Sequence, residues 1–378
     1  MRIVVAPQEF KGTLTAEQAT QAMAEGVRRA LPDAEVETIP LADGGPGTVP
    51  AIVAAVGGRV LRAFVQDPLG RTVEAEWALL DGGTGVLEMA AAAGLWRLRP
   101  EERDPLAAST YGVGQLIVAA LAAGCQRVVI GLGGSATNDG GAGMASALGV
   151  RFLDNEGRDL PPGGAALAGL ARIDVSGLEA RARACRFTAA TDVTNPLCGP
   201  DGASFVYGPQ KGASPAAAAQ LDAALRRFGE VVERDLAIPV LAATGAGAAG
   251  GLGAGLIAFL DAEVRPGIDV VAEIVRLRDR LRGADLLVTG EGCLDGQTGW
   301  GKTVAGVARI AGEEGVPVLV VPGALGPGWK AILPLVDGVE PVVGGAATAE
   351  DSLARPAELL ALTAERALRG WARMDDLL

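Results

Sequence analysis

Short β-branched runs alternate with helical stretches at both ends of this chain, and that alternation admits few folds. At the amino end Arg2–Val5 is a β-branched run, and Thr15-Ala-Glu-Gln18 then supplies a capping-box pattern opening a helix to about Ala30. Pro32 stops the helix, Glu35–Pro40 reads as a second strand and Gly47–Val56 as a second helix. The carboxyl part repeats the pattern, with Ala284–Thr289 as strand, Thr303–Glu314 as helix and Val316–Val321 as strand. Such alternation predicts a parallel sheet covered by helices on both faces. Between the ends the texture changes: Thr72–Leu80 (TVEAEWALL) has the period of two expected of half-exposed antiparallel strands. The expected organisation is a discontinuous outer domain made from both ends and a middle domain inserted between them, with boundaries near 60 and 283.

Composition narrows the chemistry. Of 378 residues, 55 are glycine and none is histidine. The missing histidine removes Ser-His-Asp and Cys-His nucleophile systems, histidine bases and histidine metal ligands together. Catalysis is left to carboxylates, lysine, arginine, hydroxyls, backbone amides and a hard metal ion. Cys125, Cys185, Cys198 and Cys293 lack C-x-x-C spacing, which argues against a disulfide framework or a zinc site. A formal net charge of −12 argues against a general nucleic-acid footprint. No apolar run reaches the roughly 18 residues of a membrane span, and MRIVVAPQEF lacks a signal-peptide core. The expectation is a cytoplasmic protein with no nucleic-acid or membrane partner.

Glycine concentrates in loops. Ala6–Thr15 (APQEFKGTLT) joins the first strand to the first helix; helix amides and Lys11 suit an anion, and the segment equally fits an ordinary βα loop. Ala42–Thr48 (ADGGPGT) places Asp43 as a metal or hydroxyl ligand, or as a helix cap. Gly131–Gly143 (GLGGSATNDGGAG) has glycine at six of thirteen positions, with Ser135, Thr137, Asn138 and Asp139 in the same turn. It follows the strand Arg127–Ile130 and precedes a helix near Met144, as expected where amides curl round an anion. Thr244–Gly255 (TGAGAAGGLGAG) contains a G-x-G-x-x-G match but no preceding strand of the dinucleotide-binding type, so a nicotinamide or flavin role is a weak alternative. In Thr191–Ala213, Asp192 and Asn195 lie just past the strand Arg186–Ala190, Asn-Pro and Gly-Pro force turns, and Lys211 follows. That grouping suits metal-phosphate chemistry or a well-capped loop.

GQTGWGKT, residues 296–303, satisfies the phosphate-loop pattern G-x-x-x-x-G-K-[ST]. In a true phosphate loop the cradle follows its strand at once. Here Glu291–Asp295 intervenes, and no second acid follows a clean apolar strand. The pattern is met by chance.

Along nearly its whole length the chain resembles the bacterial type I glycerate kinase family. The resemblance rests on APQEFKGTLTA, PLADGGPGT, GLGGSATNDGGAGMASALG, TDVTNPLCGPDGA, YGPQKGA, GAGAAGGLGAG and VTGEGCLDGQT. It implies an α/β fold of two α/β domains. One is a Rossmann-like parallel-sheet domain from residues 1–60 plus 284–378; the other is an inserted domain with a mixed sheet, 61–283, carrying GGSATNDGG and GPQKGA. It further implies ATP-dependent phosphorylation of D-glycerate to 2-phosphoglycerate with Mg²⁺, by a monomer or homodimer. In that reading Asp192 is the base or a metal ligand, and Lys11 holds a phosphate or the substrate carboxylate. Gly133, Gly134, Ser135, Thr137, Asn138, Asp139 and Lys211 line the phosphate path. Asp43, Asn195, Glu291 and Asp295 contact substrate, Asp295 also the metal, and Lys302 offsets developing charge. The chain departs from the family pattern at Gln8 and Glu9 (usually Asp-Ser), Pro46 (usually Glu), Cys293 (usually Arg) and Trp300 (often His). A bidentate arginine suits a carboxylate such as glycerate's, so these departures keep two alternatives open. One is a same-fold kinase for another small hydroxy acid or polyol; the other is a non-catalytic nucleotide- or metabolite-binding homologue.

Overall fold

The computed structural model describes residues 1–296, 303–345 and 347–375, and the chain divides into two compact units. The first comprises residues 1–43, 50–57 and 267–378, the second residues 44–49 and 58–266. Among the described residues no helix is long and apolar enough to cross a membrane.

The first unit is built on five parallel strands in the order Gly338–Val339, Val318–Val320, Leu286–Thr289, Arg2–Val5, Glu35–Thr38. Ile3, Val4, Val5, Leu286, Leu287 and Val288 are wholly buried, as central strands covered on both faces require, and this explains their unbroken apolar runs. The edge strand Glu35–Thr38 (EVET) alternates polar and apolar side chains and is partly exposed. Helix Ala16–Ala30 begins with the expected capping box: Gln18 N–H donates to Thr15 Oγ1 at 3.2 Å and Thr15 N–H to Gln18 Oε1 at 3.0 Å. Its apolar stripe, Ala19, Met23 and Val27, joins Leu360, Ala364 and Leu368 of the carboxyl-terminal helix Pro356–Asp375 in one core. From Arg2–Val5 the chain moves to one side of the sheet, and from Leu286–Thr289 to the other. The carboxyl ends of these two adjacent strands therefore form a topological switch point, where open α/β sheets bind ligands.

The second unit has a six-stranded mixed sheet in the order Glu263–Arg265, Arg186–Ala190, Arg127–Gly131, Thr84–Glu88, Thr72–Leu80, Arg59–Gln66. The first four strands are parallel, and the last two add antiparallel, as the period of two in TVEAEWALL predicts. Glu88 pairs with Gly131, Gly131 with Ala190, and Ala190 with Arg265. Four parallel strands thus end level, and the Gly131–Gly143 and Thr191–Ala213 segments leave from one edge. Phe152, Phe228 and Phe259 meet in the core at centroid distances of 5.6 to 6.3 Å.

Two expectations change. Residues 267–283, assigned by sequence to the middle domain, lie in the first unit. Helix Gly267–Ile274 packs against helix Thr303–Glu313, and Arg309 donates to Asp269 at 2.6 Å. Thr244–Gly255, read as a loop, enters helix Ala248–Leu260, whose first turns carry positive φ at Ala249, Gly250 and Gly251. No strand precedes it; the element before is helix Pro215–Leu236. Its glycines serve packing. A Cβ on Gly250 would lie 2.0 Å from the Thr137 carbonyl oxygen, and Gly140 N–H donates to the Gly250 carbonyl at 3.1 Å.

Gly250→Ala is expected to lower unfolding stability by roughly 3 kcal/mol or more, from a left-handed φ and a backbone clash together. Gly157→Ala, with φ of +78° and nothing within 4 Å, isolates the φ cost at about 1 kcal/mol. Equal losses for the two variants in urea denaturation would show that close approach contributes nothing.

Candidate active site

In the second unit the loop Gly131–Gly143 is held on three sides. Gly133 N–H donates to the Gly44 carbonyl at 3.2 Å, and a Cβ on Gly131 would sit 2.3 Å from that same oxygen. Only glycine lets ADGG lie so close on GLGG. Leu95 N–H donates to the Gly134 carbonyl, and Ala136 N–H to the Ala93 carbonyl. Gly140 N–H is taken by Gly250. What remains is a run of uncommitted donors: the amides of Gly134, Ser135, Thr137 and Asn138 meet no acceptor among the described residues. Ser135, Thr137 and Asn138 are nonetheless buried, and Thr137 Oγ1 and Asn138 Oδ1 are also without partners. Buried donors in that number call for an external acceptor.

Two buried charged groups fix this loop. Asp139, only 1% exposed, accepts from Thr110 N–H (2.8 Å), Thr110 Oγ1–H (2.9 Å), Gly141 N–H and Gly143 N–H (both 3.2 Å). Burial pushes its pKa up, and the four donors oppose that shift. Its oxygens are spent on the loop, so Asp139 clamps the turn; Thr110, the clamp's partner from a distant segment, gave no sequence signal. Asn138 Nδ2 donates to Ser204 Oγ at 2.9 Å. Lys211, also 1% exposed, donates from Nζ to the Thr137 carbonyl at 2.7 Å. Burial lowers its pKa from 10.5 to about 7, with the Asp139 charge opposing.

Asp192 sits partly buried two residues past the strand Arg186–Ala190, and therefore at the same sheet edge as the loop. Asn195 is absorbed locally: its Nδ2 donates to the Asp201 carbonyl and its Oδ1 accepts from Tyr207 Oη, both at 2.8 Å. The structure thus brings Asp139, Lys211 and the glycine loop together, and uses Asn195 as a brace for the TNPLCGPDG turn.

In the first unit the switch point gathers a second set. Gly290, Glu291 and Gly292 cross between neighbouring strand exits: Gln8 N–H donates to the Gly290 carbonyl and Gly323 N–H to the Glu291 carbonyl. Gln8 Nε2 donates to Glu291 Oε2 at 3.0 Å, and Gln8 Oε1 accepts from Thr303 Oγ1. Gln8, one of the departures from the family pattern, therefore ties the first loop to the Gly290–Gly292 crossing and to the helix Thr303–Glu313 without adding a second carboxylate beside Glu291. Thr303, the residue a phosphate loop would offer to Mg²⁺, is buried and committed to Gln8. Lys11 is exposed; Lys11 and Asp43 both act on Glu9, whose pKa is raised by burial, lowered by Lys11 and raised by Asp43. Asp295 and Glu291 flank exposed Cys293, whose thiol pKa is raised by burial first and then by these two carboxylates. Trp300 and Lys302 lie outside the described residues. Among the described residues no three acids or thiols converge on one point.

Lys211 carries a pH signature. Its folded pKa of about 7 lies below its ordinary 10.5, so between those values the unfolded chain binds more protons, and stability rises with pH. The stability of the wild type relative to Lys211→Met should therefore increase from pH 7 towards pH 10; a difference flat across that window would contradict a buried, proton-shedding lysine.

Comparison with known proteins gives the family. The model described as the glycerate kinase family matches residues 3–372. A Halalkalibacterium halodurans protein named glycerate kinase is 49% identical over 331 residues, 87% of each chain. An Escherichia coli K12 protein named glycerate 2-kinase is 46% identical over 326 residues, 86% of each chain. The crystal structure of a candidate glycerate kinase 2 from Salmonella typhimurium LT2 superposes with a TM-score of 0.88 at 44% identity, over the full length of both chains. The chain belongs to the glycerate kinase family.

Proposed function

We propose that this kinase transfers the γ-phosphoryl group of ATP to D-glycerate, giving 2-phosphoglycerate and ADP. The observation that carries the reading is the run of uncommitted amides at Gly134, Ser135, Thr137 and Asn138, fixed from beneath by Lys211 and Asp139. Phosphoryl transfer needs little covalent help from a protein; it needs oriented donors that require no rearrangement as charge develops. Asp139 and Lys211 act by positioning the loop. Asp192, at the same sheet edge, takes the proton of the attacking hydroxyl.

A Mg²⁺ ion arriving with the nucleotide would supply charge neutralisation at the phosphates, and one or two carboxylates of this chain would suffice to hold it. The carboxylate that would hold it is Asp295 in the first unit, or Asp192 in the second where that group is not the base. Lys11, Asp43 and Glu291 belong to the acceptor side, and Lys302 to charge neutralisation. The choice of the 2-hydroxyl is supported by the name of the Escherichia coli relative, glycerate 2-kinase. One observation favours another acceptor: exposed Cys293 stands where the family pattern usually has an arginine, the natural bidentate partner of a carboxylate substrate.

Purified protein with Mg-ATP should release ADP only when D-glycerate is added, and phosphorus NMR should show a phosphate ester at the 2-position. Turnover with a different hydroxy acid alone would overturn the glycerate assignment, and a 3-phosphate product the hydroxyl assignment. Asp192→Asn should lower kcat by about two to four orders of magnitude with the fold intact by circular dichroism; near-normal turnover would remove Asp192 as the base.

A further inference from the structure

The backbone around Glu291 is pinned on both sides. The Glu291 carbonyl accepts from Gly323 N–H at 2.9 Å, and the Gly292 carbonyl from Ala324 N–H at 3.0 Å. A Cβ on Gly290 would lie 2.2 Å from the Val321 carbonyl oxygen, and one on Gly292 would lie 3.2 Å from the Lys11 nitrogen. Residues 290–292 therefore have little room to shift. The Glu291 side chain keeps torsions of its own, and at 6% exposure water does little to orient its carboxylate.

Gln8 supplies that orientation. Its own backbone N–H holds the Gly290 carbonyl at 3.1 Å, so its buried side chain leaves from a fixed point. Gln8 Nε2 donates to Glu291 Oε2 at 3.0 Å, while Thr303 Oγ1, wholly buried, donates to Gln8 Oε1. Together the two contacts fix which way the amide faces. Turned over, Gln8 would set its carbonyl oxygen against the carboxylate, two acceptors with no proton between them. Thr303 thus orients Gln8, and Gln8 orients Glu291, in one directed chain from helix Thr303–Glu313 to the carboxylate. A carboxylate at position 8 would set a like charge against Glu291 and require a proton or a cation between them; the amide requires neither.

An ionised carboxylate has about four acceptor sites, so the bond from Gln8 leaves it able to take a substrate hydroxyl. A fixed acceptor of this kind favours a ligand that brings a hydroxyl and disfavours one that brings a second anion to the same point. We infer that Gln8 is a positioning residue for the phosphoryl acceptor: with Thr303 on one side and Glu291 on the other, it sets the carboxylate against a hydroxyl of a small polyhydroxy acid. The inference rests on the reading above that places Glu291 on the acceptor side.

Steady-state kinetics with each substrate varied in turn separate this role from a general loosening of the fold. Gln8→Met keeps the side-chain length and removes both hydrogen bonds, and Thr303→Val removes the hydroxyl at similar size. Each should raise KM for D-glycerate about tenfold or more, with KM for ATP within about twofold of wild type. The double variant should be within about twofold of Gln8→Met, because the two residues act through one chain of contacts. Thr303→Val, which retains Gln8, carries the test if Gln8→Met does not fold. An unchanged KM for D-glycerate in the folded variants, or equal rises for both substrates, overturns the role of Gln8. Glu291→Gln distinguishes the two levels of the argument. If it raises KM for D-glycerate while the Gln8 and Thr303 variants do not, Glu291 stays on the acceptor side and the inference about Gln8 falls alone; if it too is silent, both fall.

Discussion

The close approach of three glycine-rich backbones governs the second unit. Gly44 lies on Gly131, Gly45 on Gly133 and Gly250 on Thr137, each at separations where a Cβ would meet backbone oxygen or carbon at 2.5 Å or less. Side chains at these positions would push the three segments apart and dissolve the loop between them. The high glycine content is thus a packing requirement as much as a ligand-binding one. Glycine is costly for an unfolded chain to order, and that cost is offset by the buried core around Phe152, Phe228 and Phe259 that anchors the flanking helices.

Rigid placement follows from that packing and explains the two buried charges. Asp139 collects four donors, two from Thr110 and two from glycine amides of its own turn, and Lys211 holds the Thr137 carbonyl. Neither charge faces solvent, and each carries a desolvation penalty visible in the direction of its pKa shift. A chain keeps such groups buried where they fix a geometry that apolar side chains would leave loose. The geometry fixed here is that of the loop whose amides at Gly134, Ser135, Thr137 and Asn138 meet no acceptor among the described residues.

Much of this was legible in the sequence because local signals and tertiary outcome agree. The Thr15–Gln18 capping box, the period of two in Thr72–Leu80 and the buried run Arg2–Val5 each formed the predicted element. Of the phosphate-loop match at 296–303, residues 297–302 lie outside the described residues, and Thr303 donates to Gln8. Other features were hidden for physical reasons. The Thr244–Gly255 segment looks like a loop because glycine has poor helix propensity, yet tertiary contacts with Thr137 and Gly140 draw it into a helix after three left-handed residues. The helix at Gly267–Ile274 went to the first unit through its packing on Thr303–Glu313, a long-range contact with no local mark. The role of Asp139 as a clamp was invisible because its partner Thr110 lies 29 residues away in sequence.

The central claim is that the amides of Gly134, Ser135, Thr137 and Asn138 are held ready for the phosphates of the donor. Amide hydrogen exchange followed by mass spectrometry, with and without Mg²⁺ and a non-hydrolysable ATP analogue, addresses it most directly. The account predicts strong added protection across Gly133–Asp139 with the nucleotide analogue, and little there with D-glycerate alone. Protection that appears with the analogue elsewhere in the chain while Gly133–Asp139 exchanges unchanged would contradict it.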